Sequence, residues 1–180
     1  MTRTPRDSEN LDYAELGVTI RTAMLVAGKE RPPSRDQPLA IKWGGRLVRT
    51  VDVLSVPDAG VVRGEFLAVR GDPEQGFDIK VNGGIRLANG EKVELLRTWN
   101  DERFEPVVEY PYFSQDGYLR VWNVYKMRYR GGQVVEERWT ENAGMWVEEV
   151  SPTDRIYHCS RGMVYPPDFE SLVFRITVKP

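Results

Sequence analysis

Three groups of residues have types and spacings that could do chemistry. The first is Arg138-Trp139-Thr140-Glu141-Asn142-Ala143-Gly144, which sets a carboxylate beside an indole at what reads as a strand end. Desolvation against Trp139 would raise the pKa of Glu141 and suit it to general acid or base work. The same residues also read as a hairpin corner, with Asn142 and Gly144 turning the chain and Glu141 in water. The second group is Tyr110-Pro111-Tyr112. Residues at i and i+2 of a strand face one side, so the two phenols could hold a carboxylate or enolate oxygen between them. Pro111 cannot donate to a ladder and equally marks an aromatic edge strand. The third is His158, whose ordinary pKa of ~6.5 keeps it a candidate acid or base, with a hydrogen-bonded core role as the alternative. Its neighbour Cys159 would point to the opposite face of a strand, so the two cannot form a nucleophile–base pair.

The inventory narrows the classes of function. One histidine and one cysteine cannot build the usual zinc sites, which need at least three protein ligands. There is no DxDxDG loop, and the Gly-Gly pairs lack phosphate-loop spacing, so no metal and no cofactor are expected. A single cysteine rules out an intrachain disulfide and fits a reducing compartment. A net charge of −2 with both signs mixed argues against nucleic acid as a partner. No apolar run approaches the ~20 residues of a membrane span. The first ten residues, MTRTPRDSEN, contain no apolar core of a secretory signal, so a cytoplasmic location is expected.

The elements that must position these groups follow from periodicity. Residues 1–10 are polar and read as a disordered arm. A helix is predicted from Leu11 to Ala27 with Ser8 as its cap, although Gly17 weakens it, and Pro32, Pro33 and Pro38 make the following segment a linker, so that 11–38 is helix plus linker. From Leu39 short alternating runs are broken by Gly, Asn, Asp and Pro, predicting a single β domain over 39–180. Strands are expected at Leu39–Trp43, Leu47–Leu54, Val61–Arg70, Phe77–Val81, Ile85–Leu87, Lys92–Trp99, Val107–Phe113, Tyr118–Arg130, Val134–Asn142, Met145–Val150, Arg155–Arg161 and Leu172–Val178. Gly44-Gly45, Asn82-Gly83-Gly84, Asn89-Gly90, Asp116-Gly117 and Gly131-Gly132 supply the expected turns. So many strands must hide their edges. The prediction is an all-β, antiparallel up-and-down barrel with an N-terminal helix, or else a two-sheet β-sandwich.

Alternation then assigns faces. Leu119, Val121, Asn123, Tyr125, Met127 and Tyr129 form the expected inner face of one strand, and Arg97 joins Val93, Leu95 and Trp99 on another. Glu137 and Glu141 share a face with Val135 and Trp139, and His158 with Ile156 and Ser160. Faces that mix rings with Arg, Glu, Asn and His suit a ligand cavity, because burying an unpaired polar group costs about 1–3 kcal/mol. The alternative puts Glu137 and Glu141 on a solvent face. Arg97, Asn123, Tyr125, Tyr129, Glu137 and Trp139 are thus the candidate ligand-binding residues, and Glu141, Tyr110, Tyr112 and His158 the candidate catalytic ones.

Trp139-Thr140-Glu141-x-x-Gly144 resembles a run in the phenolic acid decarboxylases, and Tyr110-Pro111-Tyr112 is similar to their paired tyrosines. The resemblance rests on these two short motifs. It implies a lipocalin-like (calycin) barrel, with Glu141 at the position of the family's catalytic glutamate and cofactor-free decarboxylation of hydroxycinnamic acids. The residues leave three functions open. One is a cofactor-independent lyase, isomerase or cyclase acting on a small hydrophobic or aromatic acid, with Arg97 gripping its carboxylate. The others are a non-catalytic lipocalin-like binder of a hydrophobic ligand and a carbohydrate- or protein-binding β-sandwich. The edge at Tyr110–Phe113 could support a homodimer.

Overall fold

A computed structural model of the chain describes residues 11–71, 74–103 and 105–180. The expected arm, 1–10, and the Ser8 cap lie outside the described residues.

The single predicted helix is two pieces. Gly17 adopts a left-handed φ of 66° and divides a 3-10 turn, Tyr13–Leu16, from helix α1, Ile20–Glu30. Thr19 caps α1 by accepting from the Thr22 amide at 3.2 Å, the job an N-cap hydroxyl does for an otherwise unpaired donor. Ile20, Ala23, Met24 and Ala27 form its buried stripe, at the i, i+3, i+4, i+7 spacing that keeps residues on one helical face. They pack on Ile41, Trp43 and Val48 in a small cluster of their own. Asp12 ties this segment down by accepting from the amides of Gly44 and Gly45, each at 2.8 Å, and from Ala14. Burial opposes the charge of Asp12, but these amides hold its carboxyl below the usual range.

The rest is β. The strands are β1 Ala40–Trp43, β2 Arg46–Arg49, β3 Asp52–Ser55, β4 Ala59–Val69, β5 Gln75–Arg86, β6 Lys92–Trp99, β7 Val107–Arg128, β8 Val134–Glu137, β9 Gly144–Ser151, β10 Asp154–Ser160 and β11 Leu172–Lys179. All pair antiparallel in one curled sheet, a half-barrel with order β1-β2-β9-β10-β11-β4-β7-β5-β6. The barrel-like all-β fold with an N-terminal helix is as expected. The up-and-down order is not, because β2 pairs with β9, β4 with β11 and β7, and β5 with β7. Most of these pairings join strands distant in sequence, which local turn signals cannot encode.

β7 is the spine. One edge runs along β5, while the other takes β4, then β3, then β8 at successive segments. Two predicted turns therefore lie inside strands. Asp116-Gly117 continues β7, where Ser114 and the Asp116 side chain receive the Tyr118 amide. Gly83 sits at a register shift in β5, and any Cβ there would fall 2.3 Å from the Phe113 carbonyl. That is the signature of a bulge rather than a hairpin. Conversely, the run predicted as one strand over Leu47–Leu54 breaks at Thr50 and Val51, which carry the chain from β2 across to β7.

The concave side is filled by rings. Phe66, Phe77, Phe174 and Tyr157 follow one another at centroid distances of 5.0, 4.7 and 4.8 Å. Gly64 makes room for the series, since a Cβ there would come within 2.6 Å of Phe77. At one end of this core Asp52 is wholly buried. It accepts from Arg49 Nη1 at 2.6 Å, Arg155 Nη1 at 2.7 Å and the Tyr157 hydroxyl at 2.9 Å. Burial, then the adjacent Asp52 charge, drives the Tyr157 phenol well above its ordinary pKa.

Candidate functional site

Most of the residues singled out in the sequence are held by separate partners. The Trp139–Gly144 segment is a dock for α1. The Ile20 amide donates to Asn142 Oδ1 at 3.1 Å and the Arg21 amide to the Glu141 carbonyl at 2.8 Å. These are two of the donors that a helix start leaves unpaired. Asn142 is buried, and its Nδ2 donates to the Val164 carbonyl at 2.8 Å. Gly144 leaves the space that Ile20 and Val48 occupy. The segment is thus a turn that carries the helix, but not the expected hairpin corner: β8 pairs with β7 and β9 with β2 and β10, and Trp139 and Glu141 turn the chain in place of Asn142 and Gly144. β8 ends at Glu137 instead of reaching Asn142, because Trp139 and Glu141 take left-handed φ values of 57° and 46°. Glu141 consequently points away from any core, and its carboxylate receives the exposed Tyr165 hydroxyl at 3.2 Å.

The same break separates Trp139 from Glu137. Trp139 leans on Trp122 at 5.4 Å under the Arg138 guanidinium, while Glu137 accepts from Tyr129 at 2.9 Å. Tyr129 lies beyond the end of β7 and is exposed, so it is not part of the inner face. Tyr125 and Asn123 do face inward as expected. Asn123 donates to the Ser160 carbonyl at 3.0 Å, and Tyr125 shares a short hydrogen bond with Thr140. Burial raises the Tyr125 phenol to about 12. Both side chains are consumed by the packing.

His158 lies on the face opposite Cys159, which is fully buried in the main core. It stacks on Trp146 at 3.8 Å, with Nδ1 3.2 Å from Glu170 Oε1. The Arg46 guanidinium covers the same indole at 4.5 Å. β2 and β10 flank β9, so the two groups approach Trp146 from either side. The two tyrosines share one face of β7 and pack on the same core, as expected, but at different depths. Tyr112 is buried with its hydroxyl unpartnered against Gly60, whereas Tyr110 is half-buried nearer the surface.

Tyr110 and Arg97 do line one cleft. β6 ends the sheet, and beyond its free edge lies a cleft of about 420 Å³ facing the start of β7. Leu96, Trp99, Val107, Val108 and Tyr110 give it apolar and aromatic walls. Thr98, Arg97 and Glu105 add the polar part of the lining. The volume is within the ~300–1,000 Å³ usual for small-molecule sites.

Arg97 is oriented by its cross-strand partner and not by an inward apolar face. Asp78, directly opposite on β5, is wholly buried and takes Arg97 Nε at 2.8 Å and Nη2 at 2.7 Å. Glu136 on β8 takes Nη1 at 2.6 Å. The Asp78 hydrogen bonds, followed by its charge and by Glu136, raise the pKa of Arg97 and keep it charged. Over Leu95–Trp99 the core side of β6 is Leu96 and Thr98, which pair with Ile79 and Phe77. Trp99 stands on the other side, with Lys126 Nζ 4.9 Å above its ring.

No protein-family model matches the chain, and no curated protein and no solved structure matches it. The reading of the cleft rests on its own residues. Sequence reasoning missed Leu96, Val107, Val108 and Glu105. The available signal was the Leu95-Leu96 doublet of β6, which gives both faces of one strand an apolar residue. Asp52 was missed too, although Asp52 and Leu54 alternate onto one side of an otherwise apolar run.

Proposed function

We propose that this chain binds a small hydrophobic or aromatic molecule in the cleft between β6 and the start of β7, on a calycin-like scaffold. The observation that carries this reading is the cleft itself, where two rings and three aliphatic side chains line a free sheet edge. The curled antiparallel sheet with its N-terminal helix supports the scaffold. Binding is preferred over a lyase, isomerase or cyclase reaction because Glu141, Tyr112 and His158 each engage different surroundings. Arg97 is preferred as a wall over a carboxylate grip because Asp78 and Glu136 already hold three of its five N–H groups.

The test is titration of the protein with small aromatic molecules, read by indole fluorescence and by amide and indole NMR shifts. The expected result is saturable binding with shifts centred on Trp99, Val108 and Tyr110, lost in Trp99→Ala. Shifts centred elsewhere, or binding unchanged by Trp99→Ala, would reject the cleft.

A further inference from the structure

The charges around the cleft carry a statement about the ligand, resting on the reading above. The lining holds two charged side chains, Arg97 and Glu105. The positive charge of Arg97 is met by two carboxylates, Asp78 and Glu136. Lys126, over the Trp99 ring, is likewise paired with Glu74 at 2.6 Å. Glu105 is exposed and makes no ion pair among the described residues. Its charge is the uncompensated one in the lining. Trp99 already has Lys126 and Arg97 over its ring, so the electron-rich face left in the lining to attract a cation is that of Tyr110.

We infer that the cleft selects an organic cation, an aromatic or alkyl group carrying an ammonium, and discriminates against carboxylic acids. The apolar part would lie along Leu96, Val107 and Val108, with the ammonium toward Glu105. A carboxylate in the same pose would meet Glu105 and find Arg97 already neutralised. This reverses the polarity expected from the sequence, where Arg97 was the reason to favour an acid.

Three probes of matched shape separate the possibilities: phenylbutylamine, phenylbutanol and phenylbutyrate, each titrated into the full chain at pH 7 with NMR detection of the Trp99 indole. The expected order is amine, then alcohol, then acid. One partly exposed charge pair gained and one like-charge contact avoided give the amine a preference over the acid on the order of tenfold. Added salt should shrink that preference. In Glu105→Gln the amine should fall to the level of the alcohol, while the alcohol is unchanged. Equal or tighter binding of the acid, or an amine preference that survives Glu105→Gln, overturns the inference while leaving the cleft standing. If none of the three probes binds, the cleft reading falls, and this inference with it.

Discussion

The hydroxyl of Tyr157 on β10 donates to Asp52 at the start of β3, 2.9 Å away and 105 residues distant in sequence. Because β3 pairs among the described strands only with β7, this contact and the Arg155–Asp52 ion pair join β3 to the far wall of the curl. Arg155 also donates to the Val53 carbonyl at 3.2 Å, reinforcing the join.

Removing one partner of a buried ion pair strands the other charges. Asp52→Ala is therefore expected to cost ~3–5 kcal/mol of stability, against ~1.5–3 kcal/mol for Tyr157→Phe, which loses one hydrogen bond to a charged acceptor. Urea unfolding of the two variants measures both values. A loss below ~1 kcal/mol for Asp52→Ala would mean that the network contributes no net stability.

Tyr112 gives the opposite expectation. Its hydroxyl is buried without a partner. The phenol already carries a desolvation cost, seen as a raised pKa. Tyr112→Phe should leave stability unchanged or raise it by up to ~1 kcal/mol. A clear loss of thermal midpoint would show that the hydroxyl does have a partner in solution.

The Glu141 segment separates chemistry from scaffolding. Asn142→Ala removes the acceptor for the Ile20 amide and the donor to Val164, both at a buried site, so ~2 kcal/mol should be lost. Glu141→Gln changes one solvent-facing hydrogen bond and should stay within ~0.5 kcal/mol. Glu141→Gly should be neutral or slightly stabilising, because glycine accepts a φ of 46° without strain. Helix content by circular dichroism and denaturant midpoints together test the set. A Glu141→Gln loss as large as that of Asn142→Ala would refute the docking role assigned here.

Acid should weaken the fold through Asp154. The paired hydrogen bonds from Arg175, followed by its charge and the Thr177 hydroxyl, outweigh burial, which acts the other way, and leave this carboxyl below its ordinary value of 3.8. A carboxylate depressed in the folded state contributes stability above its unfolded pKa. That contribution is lost as pH falls through the folded value. Urea midpoints should thus decline below about pH 4, and less steeply in Asp154→Asn. Identical acid limbs in the two proteins would exclude this pair as a contributor.

How much of this was legible beforehand differs by element. β6 runs from Lys92 to Trp99 as predicted, and β9, β10 and β11 deviate by a residue or two, since each alternates and is bounded by turn residues. Asn123 and Tyr125 face inward for the same reason. Gly83 and Gly117 were misread, because a positive φ serves a bulge or a bend as well as a hairpin.

What the sequence determined by itself is therefore local. Composition excluded a histidine–cysteine zinc site and an intrachain disulfide. Alternation set the all-β class, and Gly17 marked the weak point of the first helix. The tertiary structure alone decided which strands became neighbours and which charges became spent. Arg97 illustrates the reason. Its position on β6 was readable, but whether its guanidinium is free to meet a ligand depends on Asp78 and Glu136, 19 and 39 residues away. Periodicity reports the side a residue faces, while the partners waiting there are assembled by long-range pairing. The cleft at the free edge of β6 exists only because β7, arriving later in the chain, starts alongside β4 and leaves that edge open.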